Sequence, residues 1–438
     1  MKQIAQRIFR ETLAAMDIPA TLAKTLALNG SSIKTGESTI DLREFRHIVA
    51  IAFGKASFAM AEGLTAILSP RFRLEGILVV PVMPSRALPG WKTFLGGHPI
   101  PNEGSFAAGR AILDLLARCD ETTLIFFMVS GGGSSLVEQP LDPLVTVGDF
   151  QKLNHALVTC GASIEQINTV RKHLSATKGG RLAAAAPRSM KLTFAISDVP
   201  QGQESALASG PTLPDPSTIH DAAQFVRNRG LVESFPSTIR NMFERHALCE
   251  TPKAGNPAFV RSHFQLLLGS HDLMHAAHRA CEASGYVCLC DNSIDGWPLE
   301  KAADHLLSLL EVRRKSHTGW HASVLADGEL SSPVVGDGIG GRNAAFVLAC
   351  VPKIAGKRIS VFSAGTDGID GNSPAAGAVA DGETLARANA AGLDPFDFSI
   401  RSDAYSFFSY LGDAVLTGPT GNNLRDLRIL LAEPQEEP

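Results

Sequence analysis

The chain has 438 residues, of which 45% are hydrophobic and 19% charged, and its formal net charge is -4 at pH 7. This length predicts about two or three domains, and this charge gives no reason to expect nucleic acid or an anionic membrane as a partner. No apolar run approaches the roughly 20 residues that span a bilayer, and the charged, amphipathic start is unlike a signal peptide. The 7 scattered cysteines indicate free thiols and a reducing compartment, so we expect a cytoplasmic protein.

The first half of the chain alternates predicted strands with predicted helices. Four apolar runs are typical of strands that are buried on both faces: HIVAIAF (47–53), GILVVPV (76–82), TLIFFMV (123–129) and KLTFAIS (191–197). The segment from Glu103 to Arg118 has apolar residues at helical spacing and follows a Pro-Asn pair. This alternation predicts a parallel sheet that is covered by helices.

The turn-rich segment TPKAGNP (251–257) predicts a boundary between domains. After it the alternation resumes, with strands expected at 264–269, 286–290, 320–326 and 358–362 and helices at 271–284, 298–314, 341–350 and 402–411. We therefore predict an α/β protein with two domains, residues 1–252 and 253–438.

Polar, glycine-rich loops follow two strands of the first half. In SGGGSS (130–135), three glycines allow backbone N–H groups to converge on an anion, and Ser134 and Ser135 add hydroxyl groups. In the segment 196–212, Asp198 stands at the tip of a strand and Ser209 opens a second polar turn. Ligands of open α/β sheets bind at such strand ends, although the same residues also serve as plain turn formers.

The second half contains SAGTDGIDG (363–371), in which Asp367 and Asp370 lie among three glycines after a predicted strand. Glycine lets the backbone approach a ligand closely, and carboxylates hold hard cations such as Mg²⁺. Acidic, glycine-rich loops at strand ends therefore suggest phosphoryl transfer.

Basic residues supply candidate phosphate contacts. Lys55 lies at a strand-to-helix transition in FGKAS (53–57), which lacks the glycine and hydroxyl residue of a Walker A loop. In NTVRKHLSATKGGRLA (168–183), Arg171 and Lys178 are seven residues apart, and this spacing predicts that they share a helical face. The alternative for each is a solvated surface charge.

Two further loops of the second half are rich in glycine. GDGIGGRN (336–343) formally matches the dinucleotide fingerprint, but residues 353–362 contain no acid for a ribose. Arg342 therefore fits a phosphate or carboxylate clamp better. In GPTGNNLRD (418–426), Asn422 is a candidate for contact with nucleotide or metal, or a turn former.

Taken together, these motifs resemble the class II glycerate 2-kinases, the family with a MOFRL C-terminal domain. The resemblance spans nearly the whole chain and adds GGHPIPNEGS (96–105), ASGPT (208–212) and TPK (251–253) to the motifs above. It implies a large Rossmann-like N-terminal domain with a parallel sheet, a smaller α/β C-terminal domain and an active site in the cleft between them. It also implies phosphorylation of D-glycerate to 2-phosphoglycerate with ATP and Mg²⁺.

By position, the lysine of the family's GKA motif is Lys55 and the arginine of its GGRN motif is Arg342. We expect these two residues and Asp198 to be catalytic. The candidate Mg²⁺ ligands are Asp198, Asp367 and Asp370. The expected contacts to substrate or phosphate are Ser130, Gly131, Gly132, Gly133, Ser134, Ser135, Arg171, Lys178, Ser209, Asn343 and Asn422.

The chain departs from the family pattern at Gln203, Ala344, Ala345 and Asn422, where Asp, Gln, Glu and Thr are usual. The loss of acidic groups keeps open a kinase for a larger aldonic acid. An NAD(P)H-dependent hydroxypyruvate reductase, a name long attached to relatives, is a second rival, and a non-catalytic sensor of sugar acids is a third. The expected partner is a small hydroxy acid. The sequence leaves open the oligomeric state and which loop binds the nucleotide.

Overall fold

A computed structural model describes residues 1–35, 38–200 and 202–434 of the chain. Two compact units are present: Ile18–Leu267, and a second unit that combines Met1–Asp17 with the chain from Leu268 onward. The boundary between the two units along the chain lies after residue 267. The domain boundary that the sequence suggests after residue 252 stays a prediction.

The helices, numbered in chain order, are α1 (Lys2–Ala15), α2 (Ile18–Thr25), α3 (Ser57–Leu68), α4 (Glu103–Leu116), α5 (Gly133–Leu136), α6 (Val147–Thr159), α7 (Ile164–Lys172), α8 (Arg181–Ala184), α9 (Ile219–Asn228), α10 (Ser237–Glu244), α11 (Ser270–Ala283), α12 (Leu299–Ser316), α13 (Arg342–Ile354), α14 (Thr384–Ala390), α15 (Pro395–Ile400) and α16 (Ala404–Leu411). Short 3₁₀ turns occur at Leu42–Glu44, Glu204–Ser209, Val232–Ser234 and Pro257–Phe259.

The strands are β1 (Leu28–Asn29), β2 (Ser32–Thr35), β3 (Ser38–Asp41), β4 (His47–Phe53), β5 (Leu74–Val80), β6 (Trp91–Leu95), β7 (Thr123–Ser130), β8 (Met190–Ile196), β9 (Ser262–Leu268), β10 (Tyr286–Asp291), β11 (His321–Asp327), β12 (Ile359–Gly365), β13 (Gly377–Asp381), β14 (Ala414–Val415) and β15 (Asp426–Ala432). β1, β2 and β3 form a small antiparallel sheet that the sequence patterns did not predict.

The main sheet of the unit Ile18–Leu267 has the strand order β6-β5-β4-β7-β8-β9. The pairs from β6 to β8 are parallel, as the alternation predicted. All eight residues of β7 are buried, which explains its unbroken apolar run. The register pairs Phe53 with Val129 and Ser130 with Ile196, so β4, β7 and β8 end at one edge of the sheet. The loops that follow these strands therefore leave from the same edge.

The sheet of the second unit is mixed, with the order β10-β11-β15-β12-β13-β14. The last strand, β15, lies between β11 and β12 and runs antiparallel to both. The register pairs Asp327 with Leu427 and Gly365 with Asp426, which places the ends of β11 and β12 beside the start of β15. The loops after β11 and β12 therefore leave from the edge at which β15 begins.

The first helix, α1, belongs to this second unit. Its residues Ala5, Ile8 and Phe9 are buried, and the rings of Phe9 and Phe362 on β12 are 5.0 Å apart. At the start of the helix, Nζ of Lys2 lies 2.8 Å from Oδ2 of Asp413. The amphipathic pattern of the first residues thus serves packing against a sheet that lies far along the chain.

The fold class predicted from the sequence, α/β with a parallel N-terminal sheet, is confirmed. None of the helices in the described ranges is long and apolar enough to cross a membrane. All 7 cysteines are free thiols.

Candidate functional site

In the unit Ile18–Leu267, two loops at the carboxyl edge of the sheet are joined by hydrogen bonds. The N–H of Lys55 donates to the carbonyl of Gly131 at 2.9 Å, and the N–H of Ala56 donates to Oγ of Ser130 at 3.0 Å. The loop after β4 and the glycine loop after β7 (residues 130–135) are therefore neighbours. Ser130 is fully buried and holds this junction together.

Gly132 lies where the side chains of Lys55 and His98 converge. Its φ is +79°, and a Cβ atom there would lie 3.0 Å from Cδ2 of His98 and 3.3 Å from Cγ of Lys55. Only glycine adopts this left-handed backbone without penalty and leaves room for both side chains. The structure thus brings Lys55 and the glycine loop together and adds His98, a residue of the GGHPIPNEGS motif for which the sequence suggested no role.

Three side chains form a hydrogen-bonded relay beside the glycine loop. The hydroxyl groups of Ser134 and Ser209 are 2.8 Å apart, and Ser209 donates to Oδ1 of Asn168 at 3.0 Å. Because the proton of Ser209 is used toward Asn168, Ser134 is the donor in the first bond. Ser209 has a φ of +62°, so its backbone adopts a conformation that is uncommon for a residue with a side chain. The relay ties the turn after β8 to α7.

Lys178 forms a buried ion pair below the glycine loop. Its Nζ lies 2.8 Å from Oε2 of Glu138 and donates to the carbonyl of Ser134 at 2.6 Å, and both charged side chains are 1% exposed. Burial lowers the pKa of the Lys178 ammonium group, and Glu138 counteracts this effect. In this arrangement Lys178 supports the loop from inside. Its proposed contact with substrate stays a prediction.

The expectation that Arg171 and Lys178 share a helical face was wrong. Helix α7 ends at Lys172, and Lys178 lies beyond it in a turn. Arg171 remains on the helix, where its Nε donates to Oδ1 of Asn154 on α6 at 2.6 Å. The chain leaves the helix in a turn at His173 and Leu174, so Arg171 and Lys178 are not joined by helical backbone.

Asp198 and Ser135 complete the predicted residues of this unit. Asp198 lies two residues after β8, at the same edge as the glycine loop, and is half-buried. The hydroxyl of Ser135 donates to the carbonyl of Gly132 at 3.2 Å and so stabilises the turn. The catalytic role of Asp198 stays a prediction.

In the second unit, Arg342 starts α13, as predicted, and pairs with two carboxylates. Its Nε lies 2.5 Å from Oδ2 of Asp426, and its Nη2 lies 2.9 Å from Oε1 of Glu329. Burial acts to lower the pKa of Arg342, but these two carboxylates outweigh it and raise the pKa above its usual value. Arg342 is therefore charged at any physiological pH and held in a fixed orientation.

Asp426 is the centre of this cluster. It is fully enclosed, and Nη2 of Arg428 also approaches its Oδ2, at 3.5 Å. Burial acts to raise the pKa of Asp426, but Arg342 and Arg428 bring it below the usual value. In the sequence, Asp426 stands out only as the last residue of a turn motif, although its place directly before a run of apolar residues marks it as a strand end.

Asp370 caps helix α13. Its carboxylate accepts the N–H of Asn343 at 2.9 Å and that of Ala344 at 2.8 Å, and its side chain is 2% exposed. Burial raises the pKa of Asp370 to about 6, against the effect of these hydrogen bonds. Asn343 is itself buried, and its Oδ1 accepts from the hydroxyl of Ser363 at 2.5 Å.

The remaining predicted residues of this unit lie in loops. Asp367 is half-buried, and its Oδ1 accepts the N–H of Ile369 at 3.0 Å. The side chain of Asn422 is 8% exposed, and its Oδ1 has no hydrogen-bond partner in the described part of the chain. An unpaired buried carbonyl oxygen is costly, so Asn422 is a place where a ligand or a water molecule fits.

The described residues contain no group of three or more His, Cys, Asp or Glu side chains that is arranged to hold a metal ion. Mg²⁺ at kinase sites needs only one or two carboxylates, because substrate phosphates and water supply its other ligands. Both oxygens of Asp370 already accept hydrogen bonds from α13. Asp198 and Asp367 are half-buried and stay candidate ligands, a prediction that rests on their place in loops that follow strands.

The glycine loop at 336–341 does not follow a strand directly, since residues 328–341 separate β11 from α13. A Cβ atom on Gly336 would lie 2.5 Å from the carbonyl oxygen of Arg401, and one on Gly338 would lie 2.5 Å from Cβ of Asp403. These glycines are therefore required by packing within the protein, which argues against a dinucleotide fingerprint.

Comparisons with known proteins agree with this architecture. Residues 4–244 match a family described as a domain of unknown function, DUF4147, and residues 322–426 match the MOFRL family. The D-glycerate 2-kinase of Thermotoga maritima is 34% identical over 399 residues, which cover 90% of this chain and 92% of that protein. A protein of Agrobacterium vitis, provisionally named hydroxypyruvate reductase, is 33% identical over 437 residues, with 98% and 94% covered.

A solved structure has the same fold. The crystal structure of the glycerate kinase from Thermotoga maritima matches with a TM-score of 0.83 and 31% sequence identity, and the match covers 99% of both chains.

Proposed function

Because the chain belongs to the family of MOFRL-domain glycerate kinases, we propose that it phosphorylates the 2-hydroxyl of D-glycerate with ATP and Mg²⁺ and yields 2-phosphoglycerate. The observation that carries this proposal is the convergence of Lys55 on the glycine loop, where Gly132 leaves space for the lysine side chain. Loops with free backbone N–H groups and a nearby lysine bind phosphate well.

Phosphoryl transfer requires positioning and charge neutralisation more than covalent catalysis. Lys55 contributes a positive charge beside the glycine loop, and its backbone is fixed by the hydrogen bond to Gly131. Arg342 contributes a second charge, and its side chain is 34% exposed even though Asp426 and Glu329 orient it. We propose that these two charges stabilise the transferring phosphoryl group. The location of the site in a cleft between the domains stays a prediction.

The acceptor hydroxyl must lose its proton as it attacks phosphorus. Asp198 is the proposed acceptor of this proton, because it follows β8 at the edge from which the glycine loop leaves. When bound, Mg²⁺ would neutralise charge on the nucleotide phosphates, with Asp198 and Asp367 as its proposed protein ligands.

The direct test combines the purified protein with ATP, Mg²⁺ and D-glycerate and follows the formation of ADP. The product is identified by ³¹P and ¹H NMR spectroscopy, which separates 2-phosphoglycerate from 3-phosphoglycerate. We expect ADP and 2-phosphoglycerate in equal amounts. A product phosphorylated at the 3-hydroxyl, or no ADP above the control without acceptor, would contradict the proposal.

Two rival activities are tested in the same preparation. Hydroxy acids of four to six carbons replace glycerate, because the departures at Gln203, Ala344 and Ala345 keep a larger aldonic acid open. NADPH with hydroxypyruvate tests the reductase, which the packing of Gly336 and Gly338 against residues 401–403 disfavours. Oxidation of NADPH in place of ADP formation would favour the reductase.

A further inference from the structure

Helix α7 presents two hydrogen-bond donors next to the serine relay. Asn168 and Arg171 are three residues apart and so lie on one face of the helix. The Oδ1 atom of Asn168 accepts from Ser209, and its Nδ2 group has no partner within the described residues. The side chain of Asn168 is 5% exposed, so this donor is nearly enclosed by protein.

The guanidinium group of Arg171 is fixed on one side and open at its end. Its Nε donates to Oδ1 of Asn154 at 2.6 Å, while its two Nη groups have no partner in the parts of the chain that are described. Asn154 is 4% exposed, and its own Nδ2 is buried without a partner among the described residues. Two parallel Nη–H groups form a planar pair that fits a carboxylate.

The charges around Arg171 leave one positive charge in excess. Glu138 and Lys178 neutralise each other at 2.8 Å, and Glu138 also accepts from the hydroxyl of Ser175 and from the N–H of Gln139. Burial lowers the pKa of Arg171, and the nearby Glu138 raises it in part. An arginine stays charged in such surroundings. The cluster of Arg171, Lys178 and Glu138 therefore has a net charge of about +1, which suits one singly charged anion.

We propose that Arg171 binds the carboxylate of the hydroxy acid substrate, that Asn168 adds a further donor, and that Asn154 positions Arg171. This inference rests on the proposed function in one respect: it assumes that the anion bound by Arg171 is the acid that accepts the phosphoryl group. A nucleotide triphosphate fits less well here, because it carries several charges, and the ammonium group of Lys55 and the backbone N–H groups of the glycine loop are already its proposed ligands.

This assignment has a consequence for specificity. Arg171 recognises the acid function that glycerate and longer aldonic acids share, so it does not select chain length. It does reject neutral analogues, because a substrate without the carboxylate leaves the buried donors of Arg171 and Asn168 unpaired.

The test compares D-glycerate with its neutral amide, D-glyceramide, in equilibrium binding by calorimetry and in steady-state kinetics. For Arg171→Gln we expect glycerate to bind about 10 to 100 times more weakly, since a charged hydrogen-bonded pair is lost. The affinity for glyceramide and the KM for ATP should change less than about twofold. Arg188→Gln is the matched control, because Arg188 is an exposed arginine of the same unit that lies just before β8, at the opposite edge of the sheet.

Two variants of Asn154 test its proposed role in positioning Arg171. Asn154→Leu removes the acceptor that orients Arg171, so the KM for glycerate should rise while the KM for ATP is unchanged. Asn154→Asp keeps an acceptor for Nε but adds a negative charge, so it should weaken glycerate more than glyceramide. A role confined to folding would change both affinities and both KM values together.

Several outcomes would overturn the assignment. Because Arg171→Gln removes a charge from a largely enclosed site and can unfold the protein, Arg171→Lys, which keeps the charge but loses the planar pair, is measured beside it. If either folded variant discriminates acid from amide as the wild type does, or if the KM for ATP rises in place of that for glycerate, the inference is wrong.

Failure of the proposed function gives a different pattern. If the wild type does not phosphorylate glycerate, binding of hydroxy acids of three to six carbons to wild type and Arg171→Gln still decides the inference. Loss of acid binding in the variant supports it, and a wild type that binds none of these acids overturns it.

Discussion

Nε of Arg342 lies 2.5 Å from Oδ2 of Asp426, and the carboxylate of Asp426 is 4% exposed. Arg428 approaches the same oxygen to 3.5 Å. One enclosed carboxylate thus contacts two guanidinium groups at the point where β15 begins, and the orientation of Arg342 depends on a residue that follows it by 84 positions.

Asp426→Asn should destabilise the protein strongly, because it leaves the enclosed Arg428 without the carboxylate beside it and removes one of the two carboxylates that Arg342 contacts. Removal of one partner from a buried ion pair costs about 3–5 kcal/mol. The measurement is the free energy of unfolding in urea. Glu329→Gln is the control, since Glu329 contacts the same arginine but is 44% exposed, and its loss should cost less than about 1 kcal/mol. Equal losses in the two variants would contradict this account of Asp426.

Lys55→Ala should lower kcat by about 100- to 1,000-fold without unfolding the protein, because one preorganised positive charge is lost beside the transferring phosphoryl group. The measurement is steady-state formation of ADP at saturating glycerate. Lys152→Ala is the control, since Lys152 is exposed on α6 in the same unit. Near-normal turnover of Lys55→Ala would show that Lys55 is not a catalytic residue.

Gly132→Ala and Gly161→Ala form a matched pair. Both positions have a positive φ, +79° and +71°, so each substitution should cost about 1–2 kcal/mol of stability. A Cβ atom at 161 meets nothing within 4 Å, whereas one at 132 would lie 3.0 Å from the ring of His98 and 3.3 Å from the side chain of Lys55, so both side chains must shift. We therefore expect similar melting temperatures but a large loss of kinase activity in Gly132→Ala alone. Full activity in that variant would show that the close contact with Lys55 does not matter.

The lowered pKa of Lys191 predicts that the free energy of unfolding depends on pH. This buried lysine donates to the carbonyls of Ala186 and Ser189, and burial, aided by Arg261, lowers its pKa to about 8. Between pH 8 and the usual lysine pKa near 10.5, the unfolded chain binds more protons at this site than the folded protein does. The free energy of unfolding should therefore rise with pH across this window, by at most about 3 kcal/mol.

Lys191→Met removes the titrating group and serves as the reference for this measurement. The stability of the wild type relative to the variant should increase between pH 7.5 and pH 10, as followed by urea denaturation. Parallel pH profiles for the two proteins would contradict the lowered pKa of Lys191.

The strands β4, β5, β7 and β8 were predictable because their sequences are mostly apolar, and β4 begins and ends where the sequence placed it, at 47–53. The loops after β4, β7 and β8 were predictable as neighbours because parallel strands bring their carboxyl ends to one edge. β15 was not recognised as a central strand, since antiparallel insertion between β11 and β12 leaves no local pattern in the sequence.

The partners of the charged residues were not predictable. Asn154 and Arg171 are on different helices, and Glu138 meets Lys178 only because a turn follows α7. Such pairs depend on how the helices pack, and no spacing within one element encodes them. The same reason explains why Arg171 and Lys178, which one helix would place side by side, have different partners: Asn154 for Arg171 and Glu138 for Lys178.

The attachment of α1 to the sheet around β12 has a consequence for synthesis on the ribosome. The helix is translated first, but the strand that contacts Phe9 is translated more than 300 residues later. Helix α11 (Ser270–Ala283), which also packs against α1, is translated more than 250 residues after it, so at roughly 5–20 residues per second the apolar face of α1 waits more than about 10 s for its first partner. The unit Ile18–Leu267 can fold during that interval. The nascent chain then has one folded unit inserted, in sequence order, between the two segments of a unit that is still incomplete. During this time the side chains of Ala5, Ile8 and Phe9, which are buried in the folded protein, lack the core that they later join.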